Sequence, residues 1–307
     1  MTEAASAIAP AALRGGSAQA FWRADLVLIA IAVFLSPMNF FRASFAYITL
    51  SDVFSMLALL AMLLGTGLPM RPFGPATRAW YGCTLLLTGG LVIGSAMNGN
   101  LVSGMTVSAQ YLFSLIVVPM LLLQRSRAEV ILLIKLFVAG MVAVMVHGAW
   151  VDEFHPGDLR FMMGNGRLRS LVERGNEAAA LAAVAITFSL WLYFLREIRP
   201  VLLLVALAPL GYGLLLTGSN TGFFLTVLGV AALVALSGST RILLGTLGVM
   251  AAMAYAVLNW GELFLPEIFL RRVFGALSSG DMDQAGTFTD RMFLIREAYD
   301  LTRHTIL

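Results

Sequence analysis

Residues 130–150 read VILLIKLFVAGMVAVMVHGAW, an apolar run interrupted only by Lys135 and His147. A helix needs about 20 mostly apolar residues to cross the hydrocarbon core of a bilayer. The run therefore predicts a membrane-spanning helix.

Similar runs follow one another along most of the chain. Apolar residues make up 59% of the 307-residue sequence and charged residues 12%, whereas a soluble domain has roughly 45–50% apolar and about 25% charged residues. The mean hydropathy is +0.87. We predict an all-α, polytopic transmembrane helical bundle with about nine spans of bilayer length. The runs are 26–43, 52–69, 79–97, 109–124, 130–150, 177–195, 200–217, 221–237 and 242–259. Pro37, Pro119 and Pro209 fall inside them as predicted kinks.

Basic residues give the predicted bundle a direction. With the N-terminus inside, cytoplasmic segments carry more basic than acidic residues and the opposite side carries more acidic residues, as the positive-inside rule requires. We predict a cytoplasmic tail (1–24) and a bundle (25–259) with an extracytoplasmic loop at 151–176. The segment 260–307 is predicted to begin a large extracytoplasmic loop with helical stretches, and we expect it to be incomplete. The cytoplasmic basic residues are Arg14, Arg23, Arg71, Arg78, Arg125, Arg127, Lys135, Arg196, Arg199 and Arg241.

Arginines are the main polar feature of the two long extracytoplasmic segments. The planar guanidinium fork matches phosphate oxygens in pairs, so a lipid diphosphate is one ligand for such a cluster. The alternative is that these arginines pair with neighbouring acids and solubilise the loops. Gly164 and Gly166 allow tight turns, and Arg167 and Arg169, two positions apart, could face one ligand. The full set is Arg160, Arg167, Arg169, Arg174, Arg271, Arg272, Arg291, Arg296 and Arg303.

Three further polar features each allow a structural and a functional interpretation. Asn176 opens an apolar run, either as its helix cap or as part of a ligand site. Residues 216–222, LTGSNTG, join two runs and form either helix caps or a polar floor beneath a headgroup. His147, near the outer end of its run, is either a functional residue or a neutral, hydrogen-bonded side chain.

No His or Cys pair has metal-ligand spacing, so we predict no metal site. Nothing supports nucleic-acid binding.

Taken in order, three stretches resemble the O-antigen ligase and O-antigen polymerase family of bacterial membrane glycosyltransferases. Residues 167–180, RLRSLVERGNEAAA, look like the family's Arg-containing loop, which ends in Asn and opens an apolar helix. Residues 216–222 are similar to its Thr-Gly-Ser-Arg turn, with Asn220 where the family often has Arg. Arg271 and Arg272, followed by residues 286–291, GTFTDR, resemble its extracytoplasmic loop.

The resemblance implies a bundle with an extracytoplasmic helical cap, related to the GT-C class, in the bacterial inner membrane. It implies glycan transfer from undecaprenyl diphosphate to a lipid A core or growing polysaccharide acceptor, with no cofactor. The family's catalytic histidine is expected beyond Leu307, so no catalytic residue is assigned within the chain. The residues implied to bind the diphosphate are Arg167, Arg169, Arg271 and Arg291, with Asn176, Ser219 and Asn220 in support.

Two other functions fit the same residues. A transporter or flippase for a lipid-linked or anionic substrate would also use a basic outer cavity, although transporters tend to show repeats and broken helices. An inactive, truncated fragment would fit the abrupt end at Leu307. The residues do not distinguish a ligase from a polymerase.

Overall fold

The computed structural model describes residues 24–43, 48–65, 67–270 and 288–306, which form an all-helical protein with one minor hairpin. The hairpin pairs Arg42–Ala43 (β1) with Ile48–Thr49 (β2) in antiparallel fashion. A short 3₁₀ turn, Gly74–Ala76, precedes the third helix. The helices are Ala24–Leu35 (α1), Leu50–Leu64 (α2), Thr77–Met97 (α3), Leu101–Leu112 (α4), Val118–Leu122 (α5), Arg127–Phe154 (α6), Gly175–Phe194 (α7), Pro200–Thr217 (α8), Asn220–Ser237 (α9), Thr240–Phe264 (α10), Glu267–Phe269 (α11) and Phe288–Ile306 (α12).

Six helical segments among the described residues are long and apolar enough to cross a membrane. The all-α prediction is confirmed, and these segments indicate a multi-pass membrane protein. The runs at 26–43 and 52–69 overlap the shorter helices α1 and α2, which have 12 and 15 residues. The run at 242–259 lies in α10, which is not one of the six. Nine spans therefore remain a prediction. The six segments are Gly74–Met97, Leu101–Leu122, Arg127–Phe154, Gly175–Phe194, Pro200–Thr217 and Asn220–Ser237.

The three prolines behave differently from one another. Pro37 lies beyond the end of α1 at Leu35, so its predicted position inside a helix is wrong. The chain turns there, and the next segment bonds to a distant loop through Phe40 N and Leu171 O at 2.9 Å. Pro119 follows a π-helical segment, Phe113–Val117, that links α4 to α5. Such a wide turn is a common site of helix distortion. Pro209 lies inside α8 as predicted.

Small residues bring the central helices close together. A Cβ added at Gly213 of α8 would lie 2.2 Å from Met145 Sδ of α6. A Cβ at Gly222 of α9 would lie 2.3 Å from the Ala179 Cβ of α7. Small residues permit such approach between membrane helices, where packing drives association. The buried centre of this packing includes Met141, Val144, Met145, Ala178, Ala179, Ala182, Leu210 and Leu214.

The bundle has two polar ends. At one end, Arg125 lies 2.8 Å from Asp25 at the start of α1, with both side chains almost fully buried. At this end Lys135 of α6 also lies 3.2 Å from Glu197, just after α7. The opposite end carries the loop between α6 and α7 and the turn between α8 and α9. Among the described residues, Arg125 and Lys135, which are predicted to be cytoplasmic, therefore lie at the end opposite the loop that is predicted to be extracytoplasmic.

The connections differ in extent from their predicted ranges. Because α6 continues to Phe154 and α7 begins at Gly175, the loop predicted at 151–176 spans 155–174. We call it the α6–α7 loop. Likewise, α10 continues to Phe264, beyond the predicted end of the bundle at 259. The segment 260–307 contains α11 and α12, as its helical pattern predicts, and residues 271–287 between them lie outside the described residues.

Candidate functional site

The α6–α7 loop folds back on itself into a hydrogen-bonded structure. Met162 and Leu168 form an isolated antiparallel bridge. Met163 N donates to Arg167 O, and Gly166 N donates to Met163 O, both at 2.8 Å. Gly166 has a φ of +78°, which glycine adopts without steric cost. The tight turn predicted here is therefore present, and Arg167 follows it directly.

Arg167 joins this loop to the α8–α9 turn. The residue is only 6% exposed. Its Nε donates to Thr217 O at 2.7 Å, and its Nη2 donates to Asn176 Oδ1. Ser219 Oγ donates to the same Asn176 oxygen at 3.2 Å. We call Arg167, Asn176, Thr217 and Ser219 the loop–turn junction.

Two helix caps build the turn at this junction. Gly218 ends α8 in the left-handed conformation, with a φ of +53°, where glycine is favoured. Ser219 caps α9, and its Oγ accepts a hydrogen bond from Gly222 N at 3.3 Å. The capping interpretation of residues 216–222 is therefore confirmed. Asn220 is the first residue of α9 and is exposed.

The helix-cap interpretation of Asn176 is wrong. Arg174 occupies the cap position of α7, and no side chain caps this helix. Asn176 lies in the first turn instead, and its side-chain oxygen accepts hydrogen bonds from Arg167 and Ser219. The residue is exposed, so the junction reaches the surface of the protein at Asn176.

Arg169 bonds to the main chain of its own loop. Its Nε donates to Arg160 O at 3.0 Å and its Nη2 donates to Leu159 O at 2.8 Å. Arg167 points to the α8–α9 turn, whereas Arg169 holds the start of the loop. The expected pair thus has two different sets of partners.

Arg160 pairs with a neighbouring acid, as the alternative interpretation of the loop arginines predicts. Its Nη2 lies 2.7 Å from Asp158 Oδ2 on an exposed part of the loop. Hydrogen bonds from the Arg160 side chain and backbone lower the pKa of Asp158 to about 2. The same hydrogen bond raises the pKa of Arg160. Both groups are therefore charged at neutral pH, and this pair is a solvated surface feature.

His147 packs against the α6–α7 loop and takes part in a chain of two hydrogen bonds. Its Nδ1 lies 3.0 Å from Ser170 Oγ, and Ser170 Oγ donates to Val144 O at 2.7 Å. Because the serine hydrogen is used on Val144, Nδ1 is the donor to Ser170. Ser170 is fully buried and has a φ of +54°, a strained conformation for a residue with a Cβ. His147 is therefore hydrogen-bonded, as the structural interpretation expects.

Asn39, Arg42 and Glu173 belong to the same end and were not predicted as site residues. Glu173 N donates to Asn39 Oδ1 at 2.7 Å. Arg42 Nη2 donates to Glu173 Oε1 at 2.8 Å, and its Nη1 donates to the other carboxylate oxygen. Glu173 is 131 positions from Arg42 and 134 from Asn39 in the sequence, so no local spacing predicts these contacts. The one sequence feature that could have pointed to them is the occurrence of two polar residues, Asn39 and Arg42, within an apolar run.

The other two arginines implied to bind the diphosphate are not placed by the structure. Arg271 lies outside the described residues, and Arg291 lies in α12 with its side chain outside them. Phe269, two positions before Arg271, is buried and packs on Phe223 of α9 with ring centroids 5.9 Å apart. The chain therefore returns to the first turn of α9 just before this segment.

Comparisons with known proteins give no match to a protein-family model, a curated protein or a solved structure. The chemistry of the junction comes from its own groups. It combines a buried guanidinium, an exposed amide and the first turn of a helix, whose N–H groups favour anions. Among the described residues, no group of three or more His, Cys, Asp or Glu side chains could hold a metal ion.

Proposed function

We propose that this protein transfers a glycan from undecaprenyl diphosphate to a lipid A core or growing polysaccharide acceptor at the outer face of the bacterial inner membrane. The loop–turn junction carries the proposal. Two of the stretches that resemble the O-antigen ligase and polymerase family meet through Arg167 and Thr217, which are 50 positions apart. These stretches occur in the same order as in the family, and two of them are in contact. This arrangement fits a single shared site better than it fits unrelated loops.

The proposed reaction is a displacement at the anomeric carbon. The acceptor hydroxyl forms a new C–O bond as the bond from that carbon to the diphosphate oxygen breaks. The diphosphate leaves with the electron pair, and a general base takes the hydroxyl proton. Because negative charge grows on the leaving group, fixed cations and N–H donors beside it lower the barrier.

In this proposal, Arg167 and Arg169 position other parts of the site and do not themselves contact the diphosphate. Arg167 holds the α8–α9 turn against α7, and Arg169 holds the loop that carries Arg167. Direct contact with the diphosphate would come from the exposed surface of this junction, at Asn176 and Asn220, and from Arg271 and Arg291. About nine spans with the N-terminus inside, in a bundle related to the GT-C class, would place this surface outside the membrane.

Glycan transfer by the full-length protein in membrane vesicles tests the proposal. With an undecaprenyl-diphosphate glycan as donor, mass analysis of the acceptor detects each new glycosidic bond. We expect Arg291→Ala to lower kcat by about 100-fold or more, the usual effect of losing a donor to developing charge. Arg167→Ala should also lower turnover, and Arg167→Lys should not restore it, because an ammonium lacks the planar fork.

The control is Arg160→Ala, which removes an exposed arginine from the same loop and should leave turnover unchanged. If Arg167→Ala and Arg291→Ala both turn over like the wild type, the proposed site is wrong. Movement of the lipid-linked glycan across the vesicle with no new glycosidic bond would favour a flippase instead.

A further inference from the structure

A basic cleft lies at the opposite end of the bundle, where α7 ends and α8 begins. It has a volume of about 420 Å³ and no acidic residue in its lining, which consists of Tyr193, Phe194, Arg196, Ile198, Arg199 and Pro200. We propose that this cleft binds the headgroup phosphate of an anionic phospholipid. The inference is independent of glycan transfer, because it concerns the other end of the molecule.

The two guanidinium groups of the cleft are open to a ligand. Arg196 and Arg199 are both exposed, and neither side chain makes a hydrogen bond or ion pair with any described residue. The nearby acid, Glu197, lines a neighbouring cleft and pairs there with Lys135 at 3.2 Å. The arginines therefore present their charge to the cleft, and a phosphate can accept from both.

The backbone at Arg196 gives a second observation. Arg196 N donates to Tyr193 O and Glu197 N donates to Leu192 O, both at 2.9 Å. These are the two hydrogen bonds of a Schellman motif, which glycine usually completes. Arg196 occupies the glycine position with a φ of +59°. Strained residues cluster at ligand sites, so an arginine held in this conformation fits a binding role.

The surroundings of the cleft fit a lipid better than free phosphate. Tyr193 and Phe194 are 38% and 36% exposed, and tyrosine is enriched at the membrane interface. Directly after Pro200, α8 exposes Val201 and Leu202, which gives acyl chains an apolar surface. The charge rule assigns this end to the cytoplasmic side, where the leaflet is anionic and basic clefts between helices bind headgroups.

The neighbouring cleft adds to the positive potential. It is lined by Arg127 and Lys135 of α6 together with Glu197. The Arg127 side chain is exposed and makes no hydrogen bond or ion pair with the described part of the chain. Attraction of an anionic headgroup toward the α7–α8 turn therefore comes from both sides of that turn.

The test uses the full-length protein in nanodiscs of phosphatidylcholine with a minor fraction of phosphatidylglycerol. Native mass spectrometry counts the phosphatidylglycerol molecules retained by the protein. In the double variant Arg196→Gly, Arg199→Gln, retention should weaken about 25-fold, because each of the two guanidinium groups that contact the headgroup contributes about a factor of five. Glycine at 196 keeps the Schellman turn, so the loss cannot be attributed to unfolding of the turn.

The matched control is Arg241→Gln, which removes an exposed arginine assigned to the same side of the membrane but absent from the cleft lining. Its retention should equal that of the wild type. Equal retention by the double variant, or an equal loss in Arg241→Gln, would overturn the proposal. Displacement of phosphatidylglycerol by inorganic phosphate would likewise overturn the lipid assignment. Glycan transfer plays no part in this readout, so the two proposals fail separately.

Discussion

Replacing Arg167 by methionine should loosen the loop–turn junction. Methionine fills much of the space of the arginine stem but cannot donate to Thr217 O, 2.7 Å away, or to Asn176. A hydrogen bond from a charged group contributes about 1.5–3 kcal/mol, and a buried acceptor that loses its donor costs about 1–3 kcal/mol. Thr217 is fully buried. We therefore expect the free energy of unfolding to fall by about 3 kcal/mol.

Equilibrium unfolding in mixed micelles, followed by tryptophan fluorescence, measures this change. A double-mutant cycle with Asn176→Ala separates the shared hydrogen bond from the rest. Since Arg167 and Asn176 interact directly, the double variant should lose less than the sum of the two single losses. The coupling energy should fall in the range of about 0.5–3 kcal/mol found for residues in contact.

Arg160→Met is the control for this experiment. It changes the same residue type in the same loop, but its ion pair with Asp158 is exposed, and exposed pairs contribute little. We expect its unfolding curve to overlie that of the wild type. Equal shifts for Arg160→Met and Arg167→Met, or strict additivity in the cycle, would refute the view that the junction stabilises this end.

Three further predictions concern other parts of the structure. Arg125→Met breaks an ion pair of 2.8 Å whose side chains are 6% and 5% exposed, so the free energy of unfolding in micelles should fall by about 3 kcal/mol. Gly222→Ala places a Cβ 2.3 Å from Ala179 Cβ, and this overpacking should lower stability by about 1–3 kcal/mol, visible as a lower thermal midpoint. The pKa of Asp158 is depressed from 3.8 to about 2. NMR titration of the carboxyl carbon should therefore give a midpoint of about 2 for Asp158. The small stabilisation from this exposed pair is present in full above pH 3.8 and is lost as the pH falls toward about 2.

Each of these predictions has a matched control. Adding Asp25→Asn to Arg125→Met should recover part of the loss, because the remaining buried charge is removed. Gly211→Ala introduces a Cβ with nothing within 4 Å, so its thermal midpoint should hold or rise. Arg160→Gln should return the Asp158 titration toward 3.8. An unchanged midpoint for Gly222→Ala, or an unchanged titration in Arg160→Gln, would contradict the packing and hydrogen-bond arguments respectively.

The sequence predicts the helix caps of the loop–turn junction but not the hydrogen bonds that join the loop to the turn. Residues 216–222 predict a turn with helix caps, because adjacent Gly and Ser residues fit the end of one helix and the start of the next. Asn176 looks like a cap from its neighbours alone, yet its oxygen accepts from Arg167 and Ser219. Local propensity has no information about a partner 43 positions away, so the sequence left the cap and ligand-site interpretations of Asn176 both open, and only the fold excluded the cap.

Hydropathy by itself determined that the chain is helical and built to cross a membrane, as the run at 130–150 shows. Lipid offers no hydrogen bonds to the backbone, so a long apolar run has few structures to choose from. Only the tertiary structure decided what the arginines do. Arg167 and Arg169 are two positions apart, yet one is directed to the α8–α9 turn and the other to its own loop. Side-chain direction in an irregular loop depends on which carbonyl oxygens the packed helices bring within reach.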